Sequence, residues 1–166
     1  MPEVYISIGS NVEREKNIPA ALRALEQRFG GPLRLSSVYE TAAVGFVGDP
    51  FYNLVAGFST EESVEEVAAA LSDIETLSGR GRGYTKFAPR TIDLDLILYG
   101  DLVRWHQKPY LPREELTRYA FMLEPLAEIA PNLKHPVSGE TFAELWAAFD
   151  KTGLEQRRIE PPWAVR

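Results

Sequence analysis

Residues 90–100 read RTIDLDLILYG, and this segment decides the fold. Its apolar residues alternate with two aspartates, which is the period of a β-strand and not of a helix. Alternation places Asp93 and Asp95 on one face of a strand that we predict to span Thr91–Tyr99. The opposite face is then continuously apolar, and its predicted members are Ile92, Leu94, Leu96 and Leu98. A strand with such a face packs on a core, so we expect it to be a central strand.

The patterns on either side predict an α+β domain. Period-2 alternation and turn residues indicate three earlier strands, and i, i+3, i+7 apolar spacing indicates two helices between them. In chain order the predicted elements are a strand at Val4–Ile8, a helix at Ile18–Phe29, strands at Leu33–Thr41 and Phe51–Thr60, and a helix at Val64–Leu77. With the strand at Thr91–Tyr99 this is the order of a ferredoxin-like βαββαβ core, an antiparallel sheet with helices on one face. Additional C-terminal helices are predicted at Leu116–Leu123, at Pro125–Ile129 and from Thr141 to Phe149.

Length and composition exclude several classes of protein. The 166 residues suit one domain over 1–166, in which the polar, proline-containing segment 155–166 is expected to form a loosely packed tail. The absence of cysteine excludes a disulfide scaffold and any thiolate site. The formal net charge of −6 argues against a general nucleic-acid binder. No apolar run reaches the length of a membrane span, so a cytoplasmic location without a membrane partner is expected. A monomer without nucleic-acid partners is also expected.

The two aspartates are candidate ligands of a cation. Their Cα atoms lie roughly 6.6 Å apart in a strand, close enough for the carboxylates to converge on one ion. Aspartate is uncommon in strands, and neighbouring carboxylates repel one another unless a cation or hydrogen-bond donors compensate. Oxygen ligands favour a hard ion, and the candidate is Mg²⁺ that also carries water and phosphate. The alternative is a solvent-facing strand that happens to be acidic.

A basic segment precedes this strand. No acidic residue occurs between Thr76 and Ile92, although the whole chain has an excess of acid. Glycines interrupt the segment, and Arg side chains match phosphate oxygens bidentately, which together favour a phosphoryl-transfer site. The alternative is a solvated basic loop. The basic residues of the segment are Arg80, Arg82, Lys86 and Arg90.

A third feature is the tripeptide Phe51-Tyr52-Asn53 at the start of a predicted strand. Phe51 and Asn53 share a face, and an aromatic plane beside a carboxamide suits a flat heteroaromatic ligand. The alternative is an aromatic core residue next to a turn-capping Asn. Both histidines, His106 and His135, lie far from any plausible nucleophile in sequence and are interpreted as structural.

Five segments resemble the 6-hydroxymethyl-7,8-dihydropterin pyrophosphokinases of folate biosynthesis. The most specific are PRTIDLDLILYG at 89–100 and AFMLEPLAEIAP at 120–131. The others are GSN at 9–11, SSVYETAAVG at 36–45 and FYN at 51–53. The resemblance implies transfer of pyrophosphate from ATP, the co-substrate, to the hydroxymethyl oxygen of the pterin, with release of AMP. It also implies two Mg²⁺ ions and no partners other than small-molecule substrates.

The resemblance further implies roles for individual residues. Asp93 and Asp95 match the metal ligands, and Arg80 and Arg90 match the catalytic arginines. The residues that match ATP contacts are Glu75, Arg82, Lys86, Phe87, Leu96, Lys108 and Arg113. The residues that match pterin contacts are Thr41, Val44, Phe51, Asn53 and Phe121. The sequence departs from the family pattern at Ala42-Ala43, Phe87, Arg113 and Tyr119, where the family has two prolines, Trp, His and Arg.

Three other functions use the same features. A metal-dependent phosphodiesterase or nuclease would have the same carboxylates and basic loop, with water as the nucleophile. A catalytically silent ligand-binding module would bind nucleotide without needing Mg²⁺. An RNA-binding sheet of this topology is disfavoured by the acidic net charge and by the lack of paired aromatic residues on central strands.

Overall fold

The computed structural model describes residues 1–42, 50–77 and 92–163. Within these ranges the chain forms six strands, four α-helices and one 3-10 helix at Glu114–Thr117. The strands are β1 (Glu3–Ser10), β2 (Arg34–Leu35), β3 (Val38–Thr41), β4 (Phe51–Ser59), β5 (Asp93–Tyr99) and β6 (Gln156–Ile159). The helices are α1 (Arg14–Phe29), α2 (Val64–Leu77), α3 (Ala120–Ile129) and α4 (Phe142–Ala148).

The strands form one antiparallel sheet in the order β5-β1-β4-β3-β6, and β2 pairs with β4. The predicted strands correspond to β1, the β2–β3 pair, β4 and β5, which gives the ferredoxin-like arrangement of a split βαβ unit. The predicted α+β class and antiparallel sheet are therefore confirmed.

The sheet separates two apolar layers. On one face Ile6 and Ile8 of β1 pack with residues of α1 and α2, and on the other face Tyr5 packs with residues of α3 and α4. The two helices of the core, α1 and α2, lie on one face as predicted, and the C-terminal helices α3 and α4, whose position was not predicted, cover the second face. Among the described residues, no helix is both long enough and apolar enough to cross a membrane.

A register shift changes the predicted face of Leu98. Asp93 lies opposite Gly9 and Asp95 lies opposite Ser7, so the two aspartates share a face as predicted. Between Tyr5 and Ile6 of β1 the pairing shifts, and Leu98 lies opposite Tyr5. Leu98 therefore packs in the α3 layer, whereas Leu94 and Leu96 pack in the layer of α1 and α2. A β-bulge adds one residue to a strand and so reverses the faces beyond it.

β5 lies at one end of the strand order, so the expectation of a central strand was wrong. Its outer edge is nevertheless covered. The Leu94 amide donates to the Glu75 carboxylate of α2 at 2.7 Å, and the Arg113 amide donates to the Ile97 carbonyl at 3.1 Å. Backbone groups on an uncovered edge would be available to pair with other chains. Here the backbone groups of the outer edge of β5 hold Glu75 and Arg113, two of the predicted ATP-contact residues, beside the strand.

The predicted strand Leu33–Thr41 is split by a pair of serines. The Ser36 hydroxyl accepts a hydrogen bond from the Val55 amide, where a strand backbone carbonyl would otherwise pair. The amide and the hydroxyl of Ser37 both donate to the Glu128 carboxylate of α3. The Tyr39 hydroxyl donates to the same carboxylate at 2.8 Å. The interruption therefore fastens α3 to the sheet.

Two C-terminal predictions also need correction. Gln156–Ile159, predicted to lie in a loose tail, form β6 and pair with β3 from Val38 to Thr41. The helix predicted at Leu116–Leu123 is instead a 3-10 turn followed by α3, and Pro125 lies inside α3 rather than at its start. The break falls at Tyr119, whose backbone is extended and which serves as the N-cap of α3.

Glu128 should make the stability of the fold depend on pH. Burial alone would raise the pKa of Glu128, but the hydrogen bonds from Ser37 and Tyr39 outweigh burial and lower this pKa below 4.5. A lowered folded-state pKa contributes stability that is present above pH 4.5 and is lost as the pH falls through the folded-state pKa. We expect Glu128→Gln to lower the free energy of unfolding at pH 7 by about 1–3 kcal/mol. The difference in the free energy of unfolding between Glu128→Gln and the unmodified protein should be smaller at pH 3.5, where Glu128 is more protonated. Urea denaturation at the two pH values measures this difference.

The matched control is Glu61→Gln, because Glu61 is exposed. Its free energy of unfolding should follow that of the unmodified protein at both pH values. A Glu128→Gln deficit that is the same at pH 7 and pH 3.5 would show that the charge of Glu128 does not act as described.

Candidate active site

The candidate site lies where β1 ends and where β4 and β5 begin. Gly9 is paired with Asn53 on one side and with Asp93 on the other, so one row across the sheet carries a carboxamide, a glycine and a carboxylate. The side chains of this row point towards the α3 side of the sheet. There they line a cleft of about 700 Å³. The predicted residues that line it are Thr41, Phe51, Asn53, Asp93, Asp95, Arg113 and Phe121.

The carboxamide of Asn53 is held in one orientation. Asn53 is 5% exposed, and its Nδ2 donates to the Thr41 hydroxyl at 2.8 Å. A Cβ atom at Gly9 would lie 2.6 Å from the Asn53 Oδ1, which is closer than nonbonded atoms approach. Glycine at position 9 therefore leaves the space that this carboxamide occupies. Phe51 lines the same cleft, so the prediction that Phe51 and Asn53 share a face is confirmed.

Aromatic side chains line the cleft from two directions. Phe51 comes from the sheet, and Phe121 comes from the first turn of α3. The ring of Phe121 stacks on that of Tyr119, with centroids 5.5 Å apart and planes 25° apart. Tyr119, which the sequence singled out only as a departure, thus supports the ring of Phe121 and lines the same cleft.

Arg113 lies between two carboxylates. Its Nη2 is 3.7 Å from the Asp95 Oδ1, and its Nε is 3.4 Å from the Glu115 Oε1. These distances describe ion pairs rather than hydrogen bonds, and the buried Nε has no hydrogen-bond partner within the described residues. The guanidinium of Arg113 therefore lies beside the carboxylates of Asp95 and Glu115, but these carboxylates do not use all of its hydrogen-bond donors.

A second cleft of about 1170 Å³ adjoins the first. Lys108 lines it, as do the exposed rings of Trp105 and Tyr110. Arg113 and Glu115 line both clefts, so the two clefts meet at these residues, next to Asp95. His135 also lines the second cleft, and burial lowers its pKa even though Glu140 acts in the opposite direction. A low pKa favours the uncharged imidazole at neutral pH.

The remaining predicted residues divide into three groups. Glu75 lies on the outer edge of β5, where it accepts the Leu94 amide. The side chain of Leu96 is 4% exposed and packs in the core, so only its backbone could contact a ligand. The predictions that lie outside the described residues are Val44, Arg80, Arg82, Lys86, Phe87 and Arg90.

Sequence reasoning missed the C-terminal wall of the first cleft. The cleft is also lined by Asp150 and by residues 152–155, which lie between α4 and β6, and by Gln156 at the start of β6. The Gln156 Nε2 donates to the Ala120 carbonyl at 3.1 Å and to the Glu124 carboxylate at 2.8 Å, which ties this wall to α3. A polar, proline-containing stretch carries no local signal for such a contact. Glu115 was also missed, because a single glutamate after Arg113 has no distinctive pattern.

Fold and site together define an α+β enzyme with a ferredoxin-like antiparallel sheet and two adjoining clefts that share Arg113 and Glu115. Residues 5–131 match the family described as 7,8-dihydro-6-hydroxymethylpterin-pyrophosphokinase (HPPK). The chain belongs to this family.

Curated relatives agree over nearly the whole chain. The 2-amino-4-hydroxy-6-hydroxymethyldihydropteridine pyrophosphokinase of Pseudomonas aeruginosa is 35% identical over 156 residues, which cover 92% of this chain and 95% of the relative. The protein of the same name from Aquifex aeolicus is 35% identical over 146 residues, which cover 87% and 90%. The folic acid synthesis protein fol1 of Pneumocystis carinii is 34% identical over 142 residues, but the chain spans only 19% of its length.

Solved structures agree on the fold. A Plasmodium falciparum HPPK-DHPS triple mutant aligns with a TM-score of 0.67 at 15% identity, over 88% of this chain and 44% of that chain. An HPPK-DHPS in complex with substrates aligns with a TM-score of 0.70 at 11% identity, over 92% and 46%. The chain thus spans less than half of these longer proteins. At such identity the likeness supports the ferredoxin-like architecture alone.

The close approach of Gly9 and Asn53 can be tested through stability. We expect Gly9→Ala to lower the free energy of unfolding by about 1–3 kcal/mol, because the added methyl group must displace the carboxamide from Thr41. Asn53→Ala should relieve that clash. The double variant should therefore be more stable than the sum of the two single losses predicts, by at least about 0.5 kcal/mol. Urea denaturation of the four proteins measures this difference, and additive losses would contradict the proposed contact.

Proposed function

We propose that this protein transfers the pyrophosphoryl group of ATP to the hydroxymethyl group of 6-hydroxymethyl-7,8-dihydropterin, with release of AMP, in folate biosynthesis. The observation that carries the proposal is the meeting of two clefts at Arg113, whose guanidinium lies beside Asp95. One cleft is lined by aromatic rings and a carboxamide, and the other is lined by a lysine. Membership of the HPPK family supports it. Residues 1–166 act as one pyrophosphokinase domain, as a monomer whose partners are its small-molecule substrates.

The first cleft suits the pterin. A flat ring system between Phe51 and Phe121 buries both of its faces, and stacking of this kind favours offset aromatic planes. The carboxamide of Asn53 reaches the ring edge, and its hydrogen bond to Thr41 fixes which way it points. The backbone of Thr41 completes the edge contacts, together with Val44. The pterin is thus recognised by shape at its faces and by hydrogen bonds at its edge.

The acidic pair suits Mg²⁺ that is carried by a triphosphate. The described residues contain no group of three or more His, Cys, Asp or Glu side chains that could hold a metal ion by themselves. Two carboxylates on one strand face supply hard oxygen ligands, and Mg²⁺ commonly takes one or two carboxylates and completes its shell with water and phosphate. Asp93 and Asp95 therefore fit two ions that arrive with ATP. When bound, these ions neutralise phosphate charge and help align the reacting oxygens.

The second cleft suits the nucleoside part of ATP, with its phosphates directed towards Arg113. Lys108 offers a cation in this cleft, and Arg113 offers a guanidinium at the junction. Arg113 is held by ion pairs longer than 3.3 Å, so it can exchange a carboxylate for a phosphate oxygen. The other proposed ATP contacts are Glu75, Arg82, Lys86, Phe87 and Leu96, and the proposed catalytic arginines are Arg80 and Arg90.

The reaction forms one bond and breaks one. The hydroxymethyl oxygen of the pterin attacks the β-phosphorus, the bond between that phosphorus and the oxygen of the α-phosphate breaks, and the hydroxyl proton is released. The protein aligns the nucleophile by holding the pterin ring in the first cleft. Arginines stabilise the charge on the phosphate oxygens in the transition state. Asp93 and Asp95 act as ligands and not as general bases.

Product analysis tests this function. The purified protein is mixed with ATP, Mg²⁺ and the reduced hydroxymethylpterin, and the nucleotide products are separated. We expect AMP and the pterin pyrophosphate in equal amounts, and neither product when the pterin is omitted. ADP would indicate phosphoryl transfer, and hydrolysis of a phosphate ester without pterin would indicate a phosphodiesterase. Either outcome would overturn the proposal.

The role of the acidic pair predicts a selective loss. We expect Asp95→Asn to lower kcat about a hundredfold or more, because one cation ligand and the Arg113 counter-ion are lost together. Direct binding of Mn²⁺ in the presence of a non-hydrolysable ATP analogue, followed by electron paramagnetic resonance, should weaken as well. Asp101→Asn is the matched control, since Asp101 is exposed in the turn after β5. Unchanged Mn²⁺ binding in Asp95→Asn would contradict the assignment.

A further inference from the structure

Arg104 is the one charged residue that is buried in the described part of the chain. It is 7% exposed, whereas arginine is almost never fully buried unless it is paired. It follows β5 and lies in the segment 101–112, termed the cleft loop below. Neither the motifs nor the charge pattern of the sequence distinguishes it. A buried guanidinium requires partners that offset its loss of hydration, so its contacts indicate what it holds in place.

The backbone of Arg104 closes the cleft loop. Its amide donates to the Leu111 carbonyl at 2.7 Å, and the Leu111 amide donates to the Arg104 carbonyl at 2.9 Å. The residues between them form the tip of the loop. Trp105, Lys108 and Tyr110 of this tip line the second cleft.

The side chain of Arg104 ties the same tip to a different element. Its Nη2 lies 2.6 Å from the Glu65 Oε2 of α2 and donates to the Lys108 carbonyl at 3.1 Å. One guanidinium nitrogen thus joins the backbone of Lys108 to α2, which packs on the face of the sheet opposite α3. Burial of the arginine strengthens its hydrogen bond to the Lys108 carbonyl, because water competes with that bond less, whereas the Glu65 carboxylate is largely exposed.

We propose that Arg104 is a positioning residue for nucleotide binding, which fixes the backbone at Lys108 so that the cleft loop presents its lysine and aromatic rings to ATP. The inference rests on the proposed function of the second cleft. Arg104 lines neither cleft, so it acts through the loop and not by touching the substrate. Lysine at this position would retain the charge but not the planar fork that can serve two partners at fixed angles.

Arg104→Met tests the proposal. Methionine keeps a long apolar side chain but removes both tethers, so the loop tip should lose its fixed position. We expect KM for ATP to rise about tenfold. KM for the pterin, measured at saturating ATP, and kcat should change less than threefold. Titration calorimetry with a non-hydrolysable ATP analogue and Mg²⁺ should show the same weakening, and Arg104→Lys should recover part of it.

The matched control is Arg28→Met. Arg28 forms a bidentate ion pair with Glu62 at 2.7 Å, close to the start of α2 but on the surface and away from both clefts. The Arg28→Met change removes the same charge from an Arg–Glu ion pair, but one that holds no part of either cleft. KM for ATP should be unchanged in this variant. An equal rise in KM in both variants would show a general electrostatic effect and would overturn the proposal.

Hydrogen exchange gives a readout that does not depend on substrate. In the Arg104→Met variant the backbone amides at positions 104 and 111 should exchange at least about tenfold faster. The amides of β1 and β4 should keep their exchange rates. Glu65→Gln, a change at a largely exposed side chain, should produce the same local pattern to a smaller extent. If the unmodified protein makes no AMP but the loop responds as stated, the proposed function fails and the tether stands. Two results would overturn the role assigned to Arg104. In the first, Arg104→Met changes neither the exchange rates of the cleft loop nor KM for ATP. In the second, exchange is faster throughout the protein and all kinetic constants change.

Discussion

The site depends on the two-sidedness of a β-strand. Asp93 and Asp95 can present carboxylates to a cleft only because Leu94, between them, packs in the core on the opposite face. Packing of Leu94 in that core holds the negative charges of Asp93 and Asp95 near one another. Their repulsion costs free energy that cations or guanidiniums must offset. Arg113, whose Nη2 lies 3.7 Å from the Asp95 Oδ1, provides one such cation. The candidate site is therefore built on the same alternation that makes the sheet fold.

Several elements of the fold serve to fix the walls around this strand. Glu128 fastens α3 to the interrupted strand, and α3 carries Phe121 over the sheet. Gln156 connects the C-terminal wall to the same helix. On the other side Arg104 and Glu65 hold the cleft loop against α2. Each wall is fixed by a polar contact between elements far apart in the chain, so both clefts have a defined shape.

The sequence predicted those parts of the site that lie on regular strands. Phe51 and Asn53 share a face as predicted, because period-2 alternation assigns a face without reference to the rest of the molecule. All the assigned roles remain predictions, and Arg80 and its neighbours also lie outside the described residues. Glu115 and the wall at 150–156 were not predicted, because no local pattern distinguishes a cleft-lining loop from a solvated one.

By itself the sequence determined the fold class, the shared face of the two aspartates and the family, since each is written in short-range spacing or in specific motifs. Only the tertiary structure decided that β5 is an edge strand, that Leu98 changes face at a bulge, that Gln156–Ile159 join the sheet and that Arg104 is buried. The physical reason is that these features arise from pairing between segments distant in the chain. Their free energy depends on which partners the folded chain brings together, and a local pattern contains no information about that choice.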